Sequence, residues 1–283
     1  MTGLYAGDMS QPRQVEFEPI KPAIGAIVRA AREALFDPDV VRQCRAALDE
    51  RVMLLFPQVN FTNEEQLAFT DLLGQRQNLS LNAADDVHQV TLDRKINRAP
   101  EYTLGTFFYH MDGMTTDAEP PFATLLSARR TAARGGQTEF ANTSAAFAAL
   151  SDEDQAEYER LRVVHTIDAS LRVIADAIPE RHKARLGFGM NSERPLVYTR
   201  KSGAKSLLVG ATADTVVGME VPHGRALLAR LQEWAGQPEF SYRHHWQEGD
   251  FVVWVNSAAL HRVIPYDADS GRMMHRTSVA AES

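Results

Sequence analysis

Short apolar runs and longer amphipathic segments follow one another along the chain without regular alternation. Five apolar runs of strand length predict β-strands, at residues 51–56, 87–92, 122–127, 250–255 and 273–280. Because these runs lie toward both ends of the chain and do not alternate with helices, the pattern predicts an α+β protein. Its core should be an antiparallel sheet sandwich or barrel and not a parallel sheet.

Helices are predicted where apolar residues recur three or four positions apart. Three segments show this spacing or begin with a capping-box sequence, at residues 40–48, 62–73 and 225–234. Residues 142–235 are predicted to form a largely helical insert between the strand-rich ends. Within this insert, a turn at Ser202-Gly203 between two apolar runs predicts a β-hairpin.

The chain has 283 residues, of which 44% are hydrophobic and 24% are charged, and no repeat or linker divides it. It is therefore predicted to be a single domain over residues 1–283, with a sizeable core. Residues 1–15 are polar and contain Gly and Pro, and we expect them to be flexible.

The charge and cysteine content narrow the classes of partner. A net charge of -7 argues against a surface that binds nucleic acid. The single cysteine, Cys44, excludes an intrachain disulfide and a thiolate metal cluster. The sequence has no leader-like apolar segment and no apolar run of about 18 residues. We therefore expect a cytoplasmic protein with no membrane partner.

A histidine and a carboxylate two positions apart, His110 and Asp112, follow an apolar and aromatic run. If residues 107–112 form a strand, the two side chains leave it on the same face. They could then bind one divalent metal together. A third ligand from a distant strand would complete the two-His-one-carboxylate set that is typical of non-haem Fe(II) oxygenases. The pair alone is a weak signal, because the chain has 9 histidines.

Three more motifs follow in the chain: a glycine-rich turn at residues 135–138, an apolar segment with a distal histidine at residues 249–262, and a basic segment at residues 272–277. Together with the His-x-Asp pair, they resemble the Fe(II)/2-oxoglutarate-dependent dioxygenases of the taurine dioxygenase (TauD/TfdA) family. The resemblance extends over about residues 16–280. It implies a double-stranded β-helix (jelly-roll) core with flanking and inserted helices.

The resemblance also implies roles for individual residues. Three residues match the iron ligands of the family: His110, Asp112 and His261. The family holds the terminal carboxylate of 2-oxoglutarate with an arginine and a threonine, and the matching residues here are Arg272 and Thr138. This assignment fits their chemistry, because a guanidinium grips a carboxylate with two hydrogen bonds and a hydroxyl adds another donor.

Other residues point to the substrate. Arg276 resembles the residue that contacts the anionic group of the substrate in the taurine enzymes. Those enzymes have a polar, Asn-containing approach to the first histidine, whereas residues 104–109 are apolar and aromatic here. We therefore expect a bulkier small molecule than taurine, partly apolar or aromatic and anionic. Thr106 and Phe108 are predicted to be among the residues that bind it.

The activity implied by the resemblance is oxidation of an unactivated C–H bond, with Fe(II), 2-oxoglutarate and O₂, and release of succinate and CO₂. Because related halogenases lack the carboxylate ligand, the presence of Asp112 argues against halogenation. One alternative is a metal-dependent β-barrel hydrolase or isomerase that uses Zn²⁺ at the same three ligands. Another is a catalytically silent binding module. Dimers are common in the family, so a homodimer is a further expectation.

Overall fold

The structure is a computed structural model that describes residues 15–77, 86–97 and 100–281. The predicted flexibility of residues 1–15 concerns a segment outside the described residues, apart from residue 15. The strands, in chain order, are β1 (Glu16–Pro19), β2 (Ala26–Arg29), β3 (Met53–Phe56), β4 (His88–Val90), β5 (Ala123–Arg130), β6 (Thr138–Asn142), β7 (Arg162–Thr166), β8 (Asn191–Pro195), β9 (Val197–Thr199), β10 (Lys205–Leu207), β11 (Ala213–Val216), β12 (Ser241–His244), β13 (Phe251–Val255), β14 (Ala259–Val263) and β15 (Met273–Val279).

The α-helices are α1 (Pro38–Arg51), α2 (Asn63–Leu73), α3 (Pro100–Gly105), α4 (Thr143–Ala148), α5 (Asp152–Tyr158), α6 (Ile167–Leu171), α7 (Glu180–Leu186) and α8 (Val221–Ala235). Two 3₁₀ helices cover Arg32–Phe36 and Arg172–Ala177. Among the described residues, no helix combines the length and the apolar character that crossing a membrane requires.

The larger sheet has seven strands in the order β1-β2-β3-β13-β5-β15-β4. Its strands pair antiparallel, except that β2 and β3 are parallel. Strand β13 lies between β3 and β5, and all its residues from Phe251 to Val255 are buried. A strand covered on both faces needs no polar alternation, which explains its continuous apolar sequence. The five strands predicted from apolar runs are all present, within a few residues of their predicted ends.

A second antiparallel sheet, β12-β6-β14, packs against the larger one. Phe140 on β6 contacts Trp254 on β13, with 5.3 Å between their ring centroids, and both belong to one buried cluster. Helix α2 packs on the opposite face of β13, where Phe69 lies 5.6 Å from Phe251. This helix begins with the predicted capping box, formed by Thr62 and Glu65. The predicted α+β class, with a β-rich antiparallel core and helices, is confirmed.

The middle segment, residues 142–235, is less helical than predicted. It contains α4 to α8, but also a three-stranded sheet, β11-β7-β8, and a two-stranded sheet, β9-β10. The second of these is the predicted hairpin around Ser202-Gly203. Val163 on β7 and Val216 on β11 share a buried cluster with the apolar face of α8. Strands of five residues or fewer carry too few positions to separate a period of two from a helical period.

The prediction of a strand over residues 107–112 is wrong for most of that stretch. Helix α3 ends at Gly105, and the amides of Thr106, Phe107 and Phe108 donate to carbonyls three residues earlier, so the chain continues in turns. Only His110 forms a bridge, an isolated antiparallel one with His261. The alternation of buried and less buried side chains therefore applies over residues 109–112 only.

Candidate active site

The three candidate metal ligands come from two neighbouring extended segments. His110 and His261 exchange two backbone hydrogen bonds of 2.9 Å, and their rings lie 4.2 Å apart. Asp112, two residues after His110, leaves the chain on the same side, and its Oδ2 is 4.0 Å from His261 Nε2. One ligand atom from each residue lies within 4.8 Å of the other two. The structure therefore brings the predicted triad together.

Backbone carbonyls orient both imidazoles. His110 Nδ1 lies 2.9 Å from the Phe108 carbonyl oxygen, and His261 Nδ1 lies 3.2 Å from that of Ala259. Because a carbonyl only accepts hydrogen bonds, each Nδ1 carries the proton and each Nε2 keeps its lone pair. A metal-binding histidine typically uses one ring nitrogen as the ligand while the other donates in this way.

The Asp112 carboxylate is held by a hydroxyl relay. The Thr124 hydroxyl donates to Asp112 Oδ2 over 2.8 Å, and Asn256 Nδ2 donates to Thr124 Oγ1 over 2.9 Å. On the other side, Arg276 Nη1 is 3.7 Å from Asp112 Oδ1. Burial raises the pKa of Asp112, but the charge of Arg276, the two neighbouring histidines and the Thr124 hydrogen bond outweigh it and lower the pKa to about 2.

Burial keeps the two histidines neutral. It lowers the pKa of His261 to about 3, with a contribution from neighbouring His110, and it also lowers the pKa of His110. Two neutral imidazoles and one carboxylate are the donor set of non-haem Fe(II) sites, and a facial arrangement leaves coordination positions for other ligands. Among the described residues, no other group of three His, Cys, Asp or Glu side chains is close enough to hold a metal.

One cavity beside the triad contains both residues predicted to bind 2-oxoglutarate. Thr138, at the start of β6, and Arg272, just before β15, line it together with all three triad residues. Arg272 is only 4% exposed, and its guanidinium lies over the Tyr266 ring at 4.8 Å. Among the described residues it has no carboxylate partner. A buried cation in this position calls for an anionic ligand.

The glycine-rich turn permits the close packing around this cavity. Gly135 and Gly136 have φ of +71° and +77°, a conformation that favours glycine. A Cβ on Gly135 would lie 1.9 Å from the Pro265 carbonyl oxygen, and one on Gly136 would lie 3.1 Å from the Arg272 side chain. The turn thus passes directly against the segment that carries Arg272.

A second cavity adjoins His110 and Asp112. It shares Thr106, His110, Asp112 and Arg276 with the first. Its other walls are mainly apolar or aromatic and include side chains of Tyr102, Met111, Met114, Ile167 and Leu171. Two larger surface clefts, of about 660 and 780 Å³, lie around Arg200 and Asp49 and contain no triad residue.

The predicted substrate residues differ in their placement. Arg276 and Thr106 line both cavities, although the Thr106 hydroxyl already donates to the Thr103 carbonyl over 2.6 Å. Phe108 is 41% exposed and lines neither cavity, so the structure does not bring it to the site. The turns after α3 rotate its side chain outward, whereas a strand would have aligned it with His110.

Sequence reasoning missed several residues of the site. Tyr102 lines the second cavity from α3, Tyr266 lines the first, and Thr124 supports Asp112 from β5. Thr124 carries no signal of its own, because β-branched residues are common in strands. Tyr266 lies between two matched motifs but belongs to neither.

Comparisons with known proteins agree over nearly the whole chain. A family model described as taurine catabolism dioxygenase TauD, TfdA family matches residues 16–278. An alpha-ketoglutarate-dependent 2,4-dichlorophenoxyacetate dioxygenase from Cupriavidus pinatubonensis is 33% identical over 92% of this chain and 96% of its own. An (S)-phenoxypropionate/alpha-ketoglutarate-dioxygenase from Sphingobium herbicidovorans is 28% identical over 94% and 95%. The crystal structure of AAD-2 in complex with Mn(II) and N-oxalylglycine is 30% identical, with a TM-score of 0.80 over 95% and 98% of the two chains.

Proposed function

Since the chain belongs to the TauD/TfdA family and is an Fe(II)- and 2-oxoglutarate-dependent dioxygenase, we propose that its substrate is an aryloxyalkanoate or a closely similar aryl carboxylate. The observation that carries this proposal is the second cavity, where apolar and aromatic walls meet one cation, Arg276, beside the triad. Two relatives act on a dichlorophenoxyacetate and a phenoxypropionate, which have an aromatic body and one carboxylate. The relatives are oxidising enzymes, so neither the zinc hydrolase or isomerase nor the silent binding module is favoured.

The proposed iron ligands are His110, Asp112 and His261. This assignment is supported by two oriented Nε2 atoms and one carboxylate that lie close together. The pKa values of all three side chains are lowered, so the side chains are unprotonated near neutral pH. Bound there with 2-oxoglutarate and O₂, Fe(II) supplies the oxidation of a C–H bond, with release of succinate and CO₂. The task of the protein is to place that bond and to exclude water.

Arg272 and Thr138 are proposed to bind the terminal carboxylate of 2-oxoglutarate. Arg272 is buried in the first cavity without a carboxylate partner among the described residues. The Thr138 hydroxyl accepts a hydrogen bond from Trp246 Nε1 over 2.9 Å, so its own proton is available for a ligand. The keto acid end can then point toward the triad, which lines the same cavity.

Arg276 is proposed to hold the carboxylate of the aryl substrate, with Thr106 beside it. Because Arg276 Nη1 is 3.7 Å from a ligand carboxylate, a substrate anchored there has its adjacent carbon close to the metal site. The walls formed by Tyr102 and Leu171 would hold the aryl ring. Tyr102 lines this cavity and Phe108 lines neither cavity, so Tyr102 is the aromatic residue we assign to this role.

The expected product follows from the bond that is oxidised. Hydroxylation of the carbon between the ether oxygen and the carboxylate gives a hemiacetal-type carbon that bears a hydroxyl and an aryloxy group. Its hydroxyl proton is lost, the bond from carbon to the aryloxy oxygen breaks, and the products are a phenol and a 2-oxo acid. A phenol is therefore a direct indicator of the proposed reaction.

The proposal also contains broader expectations about the molecule. The two packed antiparallel sheets support a double-stranded β-helix, or jelly roll, as the finer description of the core. The net charge of -7 supports a small-molecule substrate without nucleic-acid partners. No membrane partner, a cytoplasmic location and a homodimer belong to the same proposal.

A substrate panel tests the proposed class. Purified protein with Fe(II), ascorbate and 2-oxoglutarate is given phenoxyacetate, both phenoxypropionate enantiomers, an alkyl sulfate and taurine, and succinate and phenol are measured. We expect succinate and phenol in about equal amounts from at least one aryloxyalkanoate. Turnover of taurine or the alkyl sulfate alone would contradict the proposed class. If aryloxyalkanoates stimulated succinate release and none of them gave phenol, the proposed position of oxidation would be wrong.

A further inference from the structure

Tyr266 contributes a buried hydroxyl to the first cavity that the proposed mechanism does not use. It lies between β14, which carries His261, and Arg272. Tyr266 is 8% exposed and lines the cavity together with Thr138, Arg272 and the triad. Its hydroxyl oxygen is buried and makes no hydrogen bond of good geometry with any described residue. Burying a polar group without a hydrogen-bond partner is unfavourable. Because the Tyr266 hydroxyl lines a ligand cavity, we expect an atom of the bound ligand to be its partner.

The ring of Tyr266 is held firmly in place. Its face carries the Arg272 guanidinium at 4.8 Å, and its other contacts include the edge-on ring of Phe107 at 6.0 Å. It also belongs to a buried cluster with Leu92 and Val263. Because the ring is fixed on several sides, the hydroxyl cannot turn to solvent for a partner without displacing this packing.

The neighbours of the hydroxyl decide what kind of atom it needs. Arg272 has only donors, so it cannot accept the hydroxyl proton. The Thr138 hydroxyl already accepts from Trp246, which leaves it a donor toward the cavity. Arg272, Thr138 and Tyr266 therefore each offer a donor to this cavity, and the one carboxylate among its lining residues, that of Asp112, belongs to the triad. An anion with several lone pairs satisfies all three.

We propose that the Tyr266 hydroxyl is a third donor to the terminal carboxylate of 2-oxoglutarate, beside Arg272 and Thr138. Burial raises the pKa of Tyr266 even though the nearby Arg272 lowers it, so the hydroxyl keeps its proton near neutral pH. The inference rests on the co-substrate site of the proposed function. It does not depend on the identity of the aryl substrate.

The test compares two ligands in two proteins. Tyr266→Phe removes one oxygen and keeps the ring under Arg272. Binding to the Mn(II)-loaded protein is measured by calorimetry without turnover, for 2-oxoglutarate and for 2-oxopentanoate, which has the same keto acid end but no terminal carboxylate. We expect the Kd of Tyr266→Phe for 2-oxoglutarate to rise about tenfold, and that for 2-oxopentanoate to change less than about twofold. Tyr158→Phe, which alters a tyrosine on α5 that hydrogen bonds Asp154, should leave both values unchanged.

Each other outcome counts against the inference. An unchanged Kd for 2-oxoglutarate, or an equal loss for both ligands, would overturn it. So would a change confined to the KM of the aryl substrate, which would place the hydroxyl at the other cavity. Because the hydroxyl makes no hydrogen bond of good geometry with the described residues, Tyr266→Phe should not lower the melting temperature without ligand, and a clear decrease would show that a protein partner exists. Failure of the wild-type protein to bind 2-oxoglutarate would instead refute the co-substrate site itself.

Discussion

Thr124 supports the proposed metal site although it is not one of the three proposed ligands. Its hydroxyl donates to Asp112 and accepts from Asn256, so it fixes the direction in which the carboxylate points. We predict that Thr124→Val weakens Mn(II) or Fe(II) binding by about 10- to 100-fold, because the carboxylate can then rotate away from the two imidazoles. A metal titration under anaerobic conditions measures the change.

The matched control for this prediction is Thr70→Val. Thr70 is also fully buried and its hydroxyl is hydrogen bonded, but it lies on α2 and contacts Gln66 and Thr277 away from the triad. This variant should lose some stability and keep its metal affinity. If both threonine variants bound metal equally well, the Thr124 relay would have no role in the site.

We predict that the buried side chain of His165 makes the free energy of unfolding depend on pH. It is 0% exposed, and burial together with the Arg194 charge lowers its pKa from 6.5 to about 3. Below pH 6.5 the unfolded chain binds a proton that the folded protein does not, so this group lowers the free energy of unfolding as the pH falls toward 3. At pH 5 the loss is about 2 kcal/mol. The free energy of unfolding, measured in urea, should fall between pH 7 and pH 5 by about 2 kcal/mol less in His165→Gln than in the wild type.

The control for the pH effect is His223→Gln, which alters an exposed histidine on α8. Its unfolding free energy should change between pH 7 and pH 5 by the same amount as that of the wild type. An equal pH dependence in His165→Gln and the wild type would mean that His165 is not neutral in the folded protein at pH 5.

At the scale of elements, we expect the turn before β6 to determine whether the proposed co-substrate cavity can form. We predict that Gly135→Ala destabilises the protein by about 3 kcal/mol or more, because its φ of +71° and a contact of 1.9 Å with Pro265 force the backbone apart. The displaced segment carries Tyr266 and leads to Arg272, so the Kd for 2-oxoglutarate should also rise more than about tenfold. Urea unfolding and calorimetry measure the two effects.

Gly203 provides a control with the same backbone conformation and no contact. Its φ is +86°, and no atom lies within 4 Å of the position where a Cβ would be. Gly203→Ala should therefore cost only the conformational penalty of about 1 kcal/mol and leave 2-oxoglutarate binding unchanged. Equal costs for the two variants would show that close packing at Gly135 contributes nothing.

The elements also show which features could be predicted from sequence. Strands β3, β5, β13 and β15 were predictable because apolar runs of strand length are direct signals of burial in a sheet. The stretch before His110 was not, because its aromatic residues suit a strand while backbone hydrogen bonds to the end of α3 make it a turn. The spacing of apolar residues alone does not contain that information. For this reason the sequence predicted Phe108 at the site, whereas it lines neither cavity in the structure.

At the same scale, the candidate site divides into two kinds of residue. His110, Asp112, His261, Thr138 and Arg272 could be identified because each belongs to a motif of recognisable order. Tyr102, Thr124 and Tyr266 could not, because their roles arise only when α3, β5 and the segment after β14 meet around one cavity. These contacts form only in the tertiary structure, and the spacing of residues along the sequence does not predict them.

For the molecule as a whole, two cavities meet at the triad and share four residues. One contains Arg272, which has no carboxylate partner among the described residues, and the other has apolar walls beside Arg276. The two cavities therefore fit the proposed separation of a co-substrate site from a substrate site. The triad itself joins segments next to α3 and on β14. Occupation of the metal site should therefore tie together parts of the chain that are far apart in sequence.

This arrangement predicts a ligand order that thermal unfolding can reveal. We expect Mn(II) alone to raise the melting temperature, and 2-oxoglutarate to raise it further only when metal is present, because its keto acid end needs the metal. At 100 times its Kd, a ligand adds about 2.7 kcal/mol, which corresponds to about 4–5 °C for a chain of this size. Arg272→Met should keep the metal shift and lose most of the 2-oxoglutarate shift, because the buried cation is gone. If 2-oxoglutarate raised the melting temperature as much in EDTA as with metal, it would bind somewhere other than the metal cavity. The assignment of Arg272 and Thr138 would then be wrong.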